Sequence, residues 1–286
     1  GHFEYCSFTQ QHELLKTLLD YTIERHYPEL KTSNTPYLDF YSKTVEKTAK
    51  LMAQWQCVGF NHGVMNTDNM SIIGETFDYG PFAFLDDYDP HFICNHSDHE
   101  GRYKFSQQPN IANWNLAVLA QALLPLSNKE SLVSILEQFS DIFTKEFIRL
   151  MCGKLGIQQH GEEYKPLIES TLSMLAKGKM DYTFFFRLLS QLHDKTICKK
   201  LRDHCLDINA FDQWKKDYEN ALEHDDQNLA NYSLRQSRMN KVNPKYILRN
   251  YLAQEAIEAA QNTDYSKVRT LQTILANPFD EQPEFD

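Results

Sequence analysis

Along most of the chain, apolar residues recur at three- and four-residue steps, the spacing that keeps one face of an α-helix buried. Thr9 followed by QQHELLKTLLDYTIERHY predicts a capped amphipathic helix that ends at Pro28. Thr35-Pro36 opens a second helix with proline in its first turn; its apolar side is Leu38, Tyr41, Val45, Met52 and Trp55, with Thr48 completing the alternation. Beyond Pro109 the helical pattern runs almost to the end. It reads as IANWNLAVLAQALLPL, SLVSILEQFSDIFTKEFIRLM, PLIESTLSMLAKG, DYTFFFRLLSQLH, FDQWKKDYENALEH, PKYILRNYLAQEAIEAAQ and SKVRTLQTILA, with breaks at Ser127-Asn128, Gly153 to Gly161, Gly178 and Asn243-Pro244. One stretch predicts β structure: Ser71-Ile72-Ile73 and Thr76-Phe77 flank Gly74-Glu75, as in a tight hairpin. From Asp86 to Pro109 the residues are rich in Asp, His, Asn, Pro and Gly, which predicts an ordered loop over a cleft. The expected fold class is mainly α with a small β-hairpin, one domain over 1–286, the region after Gly156 being a candidate sub-bundle.

The expected hairpin sits inside the chain's most informative motif. His62-Gly63 is followed by Asp68-Asn69, and nine residues after Asn69 comes Asp78-Tyr79-Gly80. A loop opening on His-Gly or His-Arg and closing on Asn, then a hairpin, then Asp-Φ-Gly, is the grammar of a protein-kinase-like C-terminal lobe. In it an amide oxygen and a carboxylate, here Asn69 and Asp78, bind a nucleotide-bound Mg²⁺, a hard cation that takes one or two protein oxygens plus the phosphates. The residue two after the His, a catalytic Asp in protein kinases, is Val64 here and accepts no proton. Asp68, directly before Asn69, is the only nearby carboxylate. The motif therefore fits either a dead kinase or a kinase-like fold with a relocated base.

The run HGVMNTDNMSI, then DYGPF, then FLD-YDP-FICNHSD--GRY and QP-IA-WNL--LAQAL, with NPKYILRNYLAQEAI at Asn243 to Ile257, closely resembles the selenoprotein O family over nearly the whole chain. Members resemble pseudokinases but act as protein adenylyltransferases: ATP lies flipped in the cleft, and AMP passes to Ser, Thr or Tyr hydroxyls of other proteins. The resemblance implies Asp68 as the base and Asn69 and Asp78 as ligands of Mg²⁺ or Mn²⁺, with ATP as substrate and hydroxyl-bearing proteins as partners. It also implies that the chain is a C-terminal-lobe fragment, 1–126 carrying the catalytic loop and metal site and 127–286 the helical portion of the same lobe. The family's GxFE stretch, here Gly1 to Glu4, lies after the N-terminal lobe, so the residues gripping the ATP phosphates are expected upstream and the chain alone is expected to be inactive. The family continues past a PFDEQPEFD-like stretch to a Cys- or selenocysteine-containing tail.

Charge narrows the partners. With 29 Lys and Arg against 39 Asp and Glu, and a formal net charge of −10, the chain lacks the clustered cations that phosphate backbones require, so no nucleic acid is expected. No apolar run reaches the length of a membrane span, so no membrane partner is expected either. Six scattered cysteines without a C-x-x-C pair point to reduced thiols in an intracellular protein, cytoplasmic if bacterial and mitochondrial if eukaryotic. Cys94 falls where a kinase has its activation loop, so it reads as a redox handle or as a small buried hydrophobe.

Other residue sets invite chemistry, and spacing favours plainer roles for each. His62, Asn66 and Thr67 are expected to hold the loop by hydrogen bonds, and Gly63 and Gly80 to permit backbone geometry that a side chain would obstruct. His96, Asp98 and His99 carry zinc-type ligands, but their spacing suits a loop hydrogen-bond network better. Arg102 is expected in a loop-stapling ion pair. Tyr182 to Phe186 lie at core spacing, and His193, Cys198, His204 and Cys205 read as ordinary helix residues. Beside metal-dependent transfer of AMP to protein hydroxyls stand two alternatives: a kinase-like phosphotransferase using the γ-phosphate, and a non-catalytic pseudokinase scaffold.

Overall fold

A computed structural model describes residues 1–225 and 232–285, which separate into two compact units. The first comprises 1–56, 62–82 and 93–147. It contains α1 (His2–Phe8), α2 (His12–His26), the body of α3 (Pro36–Val58), α4 (Gln108–Leu123), α5 (Lys129–Glu137) and the start of α6 (Phe139–Lys154). Its core is centred on α3. Tyr41, Val45, Thr48, Met52 and Trp55 are all buried as the periodicity requires, and Phe40, Ala49 and Ala53 widen the stripe, while Leu38 is only half-buried. The Tyr41 hydroxyl donates to the Leu116 carbonyl at 3.0 Å, fixing α4 against α3.

Thr9 does not cap α2. Its hydroxyl donates to the Tyr5 carbonyl at 2.8 Å and closes α1, an element the periodicity missed because only seven residues form it. The helix expected over Ser131 to Met151 is interrupted at Gln138, whose N–H turns to the Ile135 carbonyl at 3.2 Å, a tightened turn between α5 and α6.

The second unit comprises 57–61, 83–92 and 148–286. It holds β1 (Phe60–Asn61), β2 (Ala83–Phe84), α7 (Lys165–Gly178), α8 (Tyr182–Leu189), α9 (Lys195–Asp203), α10 (Ile208–Asp225), α11 (Tyr232–Asn240), α12 (Asn250–Gln261) and α13 (Ser266–Ala276). Trp214 on α10 donates its indole N–H to the Thr171 hydroxyl on α7 at 2.8 Å, and Tyr218 reaches the Leu155 carbonyl at 2.7 Å. Tyr182, Phe185 and Phe186 are fully buried, so the aromatic run packs the core. The helix expected from Pro244 begins instead at Asn250; ahead of it the chain is tied to residue 278, the Lys245 and Tyr246 amides both donating to the Pro278 carbonyl at 2.8 and 3.2 Å.

Among the described residues β1 and β2 form the one sheet, antiparallel, with Phe60 opposite Phe84 and Asn61 opposite Ala83. The hairpin expected at Ser71 to Phe77 is therefore wrong in place. Gly74 does make a turn, at φ +72°, but carbonyls on either side of it are taken by side chains, leaving no ladder. Tyr27 donates to the Ile72 carbonyl at 2.7 Å and the His62 ring to that of Phe77 at 2.9 Å.

Lys154 is a buried cation of the second unit. Its side chain is 3% exposed, its ammonium lies 4.3 Å from the Phe186 ring centroid and 5.4 Å from that of Tyr182, and among the described residues no carboxylate pairs with it. Desolvation pushes its pKa down to about 8. The unfolded chain then binds the extra proton between about pH 8 and the ordinary lysine value near 10.5, so this residue's penalty on stability is complete below pH 8 and fades as pH rises. Lys154→Met should accordingly raise stability by about 3 kcal/mol at pH 7. That advantage should shrink towards pH 10.5 in paired urea titrations; a pH-independent difference would disprove the titration.

Candidate active site

The turn after β1 is built around His62, which is 1% exposed and stacks on Trp55 with ring centroids 5.3 Å apart. Its backbone N–H donates to the Gln108 side-chain oxygen at 2.9 Å, and its Nδ1 accepts the Val64 N–H at 3.4 Å. With Nδ1 accepting, the proton resides on Nε2, which donates to the Phe77 carbonyl at 2.9 Å. His62 thus ties the loop to the residue immediately before Asp78, the holding role expected of it. Asn66 and Thr67 hold the loop too: Asn66 Oδ1 accepts from the Tyr103 hydroxyl at 2.6 Å, and Thr67 donates to Glu4 at 3.0 Å.

Gly63 sits at φ +79°, and a Cβ there would meet Cys94 Sγ at 2.5 Å. Gly80 differs from expectation. A Cβ on it would meet nothing within 4 Å, and the left-handed residue is Asp78, at φ +56°, two positions earlier. Aspartate tolerates that region better than most side chains.

Asp68 and Asn69 lie in a 3₁₀ turn, Thr67–Asn69, whose backbone is closed by the Asn69 N–H on the Asn66 carbonyl at 2.9 Å. Asn69 Nδ2 donates to the Val64 carbonyl at 3.2 Å, which leaves Oδ1 as its free donor atom for a ligand. Asp68 and Asp78 are exposed, and among the described residues neither carboxylate has a hydrogen-bond or ion-pair partner. An amide oxygen and unpaired carboxylates suit a hard cation such as Mg²⁺. Among the described residues no group of three or more His, Cys, Asp and Glu could hold a metal ion, so neither the His96, Asp98, His99 set nor the His193, Cys198, His204, Cys205 set forms a centre.

Asp98 is instead committed to the loop, its two oxygens accepting the Arg102 and Tyr103 amides at 2.9 and 2.7 Å. Among the described residues Arg102 forms no ion pair. Its guanidinium lies 5.0 Å from the Trp114 ring centroid, a cation–π contact that tripeptide-level spacing does not reveal. His193 stacks on Tyr232 at 4.4 Å, and Cys205 donates to the Asp207 carbonyl. Cys94 is half-buried over Gly63, and all six cysteines are free of disulfides.

Comparison with known proteins decides the family. The sequence matches the family described as Protein adenylyltransferase SelO over residues 1–276. It is 50% identical over 289 residues to the Protein nucleotidyltransferase YdiU of Vibrio cholerae serotype O1, covering 100% of this chain and 59% of that protein. To the protein of the same name from Pseudomonas putida it is 47% identical over 283 residues, covering 99% of this chain and 58% of the relative. The chain belongs to the SelO family. It spans under two thirds of the length of these relatives.

Several residues that hold this loop in the SelO-family chain escaped the sequence reading. Gln108, fully buried, serves the His62 amide; Asn115 donates to the Met65 carbonyl at 2.9 Å; Asn95 donates to the Gly63 carbonyl at 3.1 Å. Each is an amide side chain spent on loop backbone that makes no regular secondary structure. The one available signal was a polar residue on the apolar stripe of a helix, which Asn115 provides on α4.

Proposed function

We propose that this chain supplies the base and the metal-holding side of an enzyme that moves AMP from ATP to Ser, Thr or Tyr hydroxyls of proteins. The observation that carries this is the Asp68 carboxylate, exposed and without a partner among the described residues, in a turn closed by the Asn69 N–H on the Asn66 carbonyl, beside the Asn69 oxygen and within a SelO-family sequence. In the reaction, the acceptor oxygen attacks the α-phosphorus, the bond to the β-phosphate oxygen breaks, and pyrophosphate leaves. Asp68 takes the hydroxyl proton. Asn69 and Asp78 would hold Mg²⁺ or Mn²⁺, which when bound supplies positive charge against the phosphates. We read 1–286 as one protein-kinase-like C-terminal lobe, the site portion lying before residue 127, and the protein as intracellular in keeping with its free thiols.

The test uses the chain extended to the length of its relatives, an acceptor protein, and ATP labelled separately on the α- and γ-phosphates. Label from the α-position alone is expected on the acceptor. Label from the γ-position alone would replace this reading with a kinase-like phosphotransferase, and none from either would favour a non-catalytic scaffold. Among the described residues no helix is long and apolar enough to cross a membrane.

A further inference from the structure

Asn66 stands at the cap position of the 3₁₀ turn that carries Asp68 and Asn69. An asparagine there ordinarily turns its side-chain oxygen back onto an amide of its own turn. Here it makes no such bond. Its Oδ1 instead accepts the Tyr103 hydroxyl at 2.6 Å, from 37 positions along the chain. The form of the turn is secured by the Asn69 N–H on the Asn66 carbonyl at 2.9 Å. A distant bond in place of the local cap therefore fixes where the turn stands rather than whether it forms.

Tyr103 belongs to a loop that is tied down along its length. Asp98 accepts the Tyr103 amide at 2.7 Å and the Arg102 amide at 2.9 Å. The Asp98 amide closes on the Asn95 carbonyl at 3.0 Å and the Gly101 amide on the Asp98 carbonyl at 3.2 Å. Asn95 holds the start of the same loop, its Oδ1 accepting the Ser97 amide at 3.0 Å while its Nδ2 donates to the Gly63 carbonyl at 3.1 Å. Residues 95–103 thus grip the neighbouring loop at Gly63 and at Asn66, on either side of Val64 and Met65 and just ahead of Asp68.

A general base works only when its carboxylate is placed to a fraction of an ångström. Asp68 is exposed, and among the described residues no hydrogen bond or ion pair orients its carboxylate. Its placement falls to the backbone of its turn. We propose that Tyr103 is a positioning residue for the Asp68 carboxylate, acting through Asn66 with the 95–103 loop as its frame. The inference rests on the transferase reading for the effect on rate but not for the effect on the turn.

Tyr103→Phe removes the hydroxyl and keeps the ring that lies 5.6 Å from the Arg102 guanidinium. In the chain extended to the length of its relatives, this variant should exchange the amide hydrogens of 64–70 roughly three- to tenfold faster, the share of one hydrogen bond. Exchange in α10 and the urea midpoint should stay those of the parent. Asn66→Ala should act alike, and the double variant should exchange no faster than either single one. The kcat for α-label should fall roughly ten- to a hundredfold in Tyr103→Phe, with the KM of ATP and of the acceptor unchanged. In an Asp68→Ala background Tyr103→Phe should cost nothing further, because the carboxylate it positions is gone. Unchanged exchange at 64–70, a raised KM with kcat intact, losses that add to those of Asp68→Ala, or a urea midpoint that falls with the activity would each overturn the proposal. If exchange quickens as stated and the parent transfers no α-label to any acceptor, the hold of Tyr103 on the turn stands and the adenylyltransferase reading fails.

Discussion

Asp78→Ala, placed in the chain extended to the length of its relatives, is expected to abolish transfer of α-label, by roughly 10³-fold or more. Asp78 supplies a carboxylate, it is exposed, and among the described residues it has no protein partner and no third acidic, His or Cys ligand stands by to replace it. Its left-handed backbone, at φ +56°, complicates alanine as a probe, because that residue tolerates the conformation less well. Asp78→Asn separates the two effects, since asparagine accepts the backbone and loses only the charge. Both variants should lose transfer while the asparagine protein keeps the parent's thermal midpoint. Substantial α-label from Asp78→Asn would remove this carboxylate from the reaction.

Asp68→Ala should cost roughly 10²–10⁴-fold, the range for loss of a general base, and should recover partly as pH rises and the acceptor hydroxyl sheds its proton unaided. Asp78→Ala should show no such recovery, since its loss is one of charge beside the phosphates. Val64→Asp restores a carboxylate at the protein-kinase position, two after His62, yet it should yield no γ-label. The choice of phosphate follows from how the nucleotide is held, which a carboxylate in the loop does not set.

The sequence made the helical part of this fold legible where side-chain burial alone sets the pattern. The stripe from Tyr41 to Trp55 on α3 is buried as read, and α13 begins and ends at Ser266 and Ala276 as expected. Errors arose where backbone groups find partners distant in sequence. Residues 71–77 alternate and turn like a hairpin, but Tyr27 and His62 take two of their carbonyls, contacts spanning 45 and 15 positions. Ahead of α12, likewise, residues 245 and 246 are tied to the distant Pro278 carbonyl where the pattern suggested helix. The candidate site residues Asp68, Asn69 and Asp78 stand out by residue type and spacing. Their supports, Gln108, Asn115 and Asn95, are amides elsewhere in the chain; only Asn115, on the apolar stripe of α4, carries a local mark that separates it from a surface residue. Asp78 and Gly80 show the limit within three residues: the glycine invited the unusual backbone, and the aspartate has it.

Gly63→Ala should destabilise the first unit by about 2–4 kcal/mol, through two separable causes. The first is conformational, because an L side chain at φ +79° costs roughly 1–2 kcal/mol. The second is steric: the new methyl would stand 2.5 Å from Cys94 Sγ and 3.3 Å from both the ring and the carbonyl of Pro81. Removing the sulfur tests the division. Cys94→Ala alone should cost about 1 kcal/mol for a half-buried thiol, whereas in the Gly63→Ala background it should be neutral or restore stability, because it vacates the space the methyl needs. The double variant should still fall about 1–2 kcal/mol short of the parent, the conformational part that no neighbour relieves. Urea midpoints at constant m-value measure all four proteins. Strictly additive costs would mean that Cys94 does not stand over Gly63. The loop that carries Asp68 and Asn69 would then owe its shape to His62, Gln108 and Asn115 without help from the thiol.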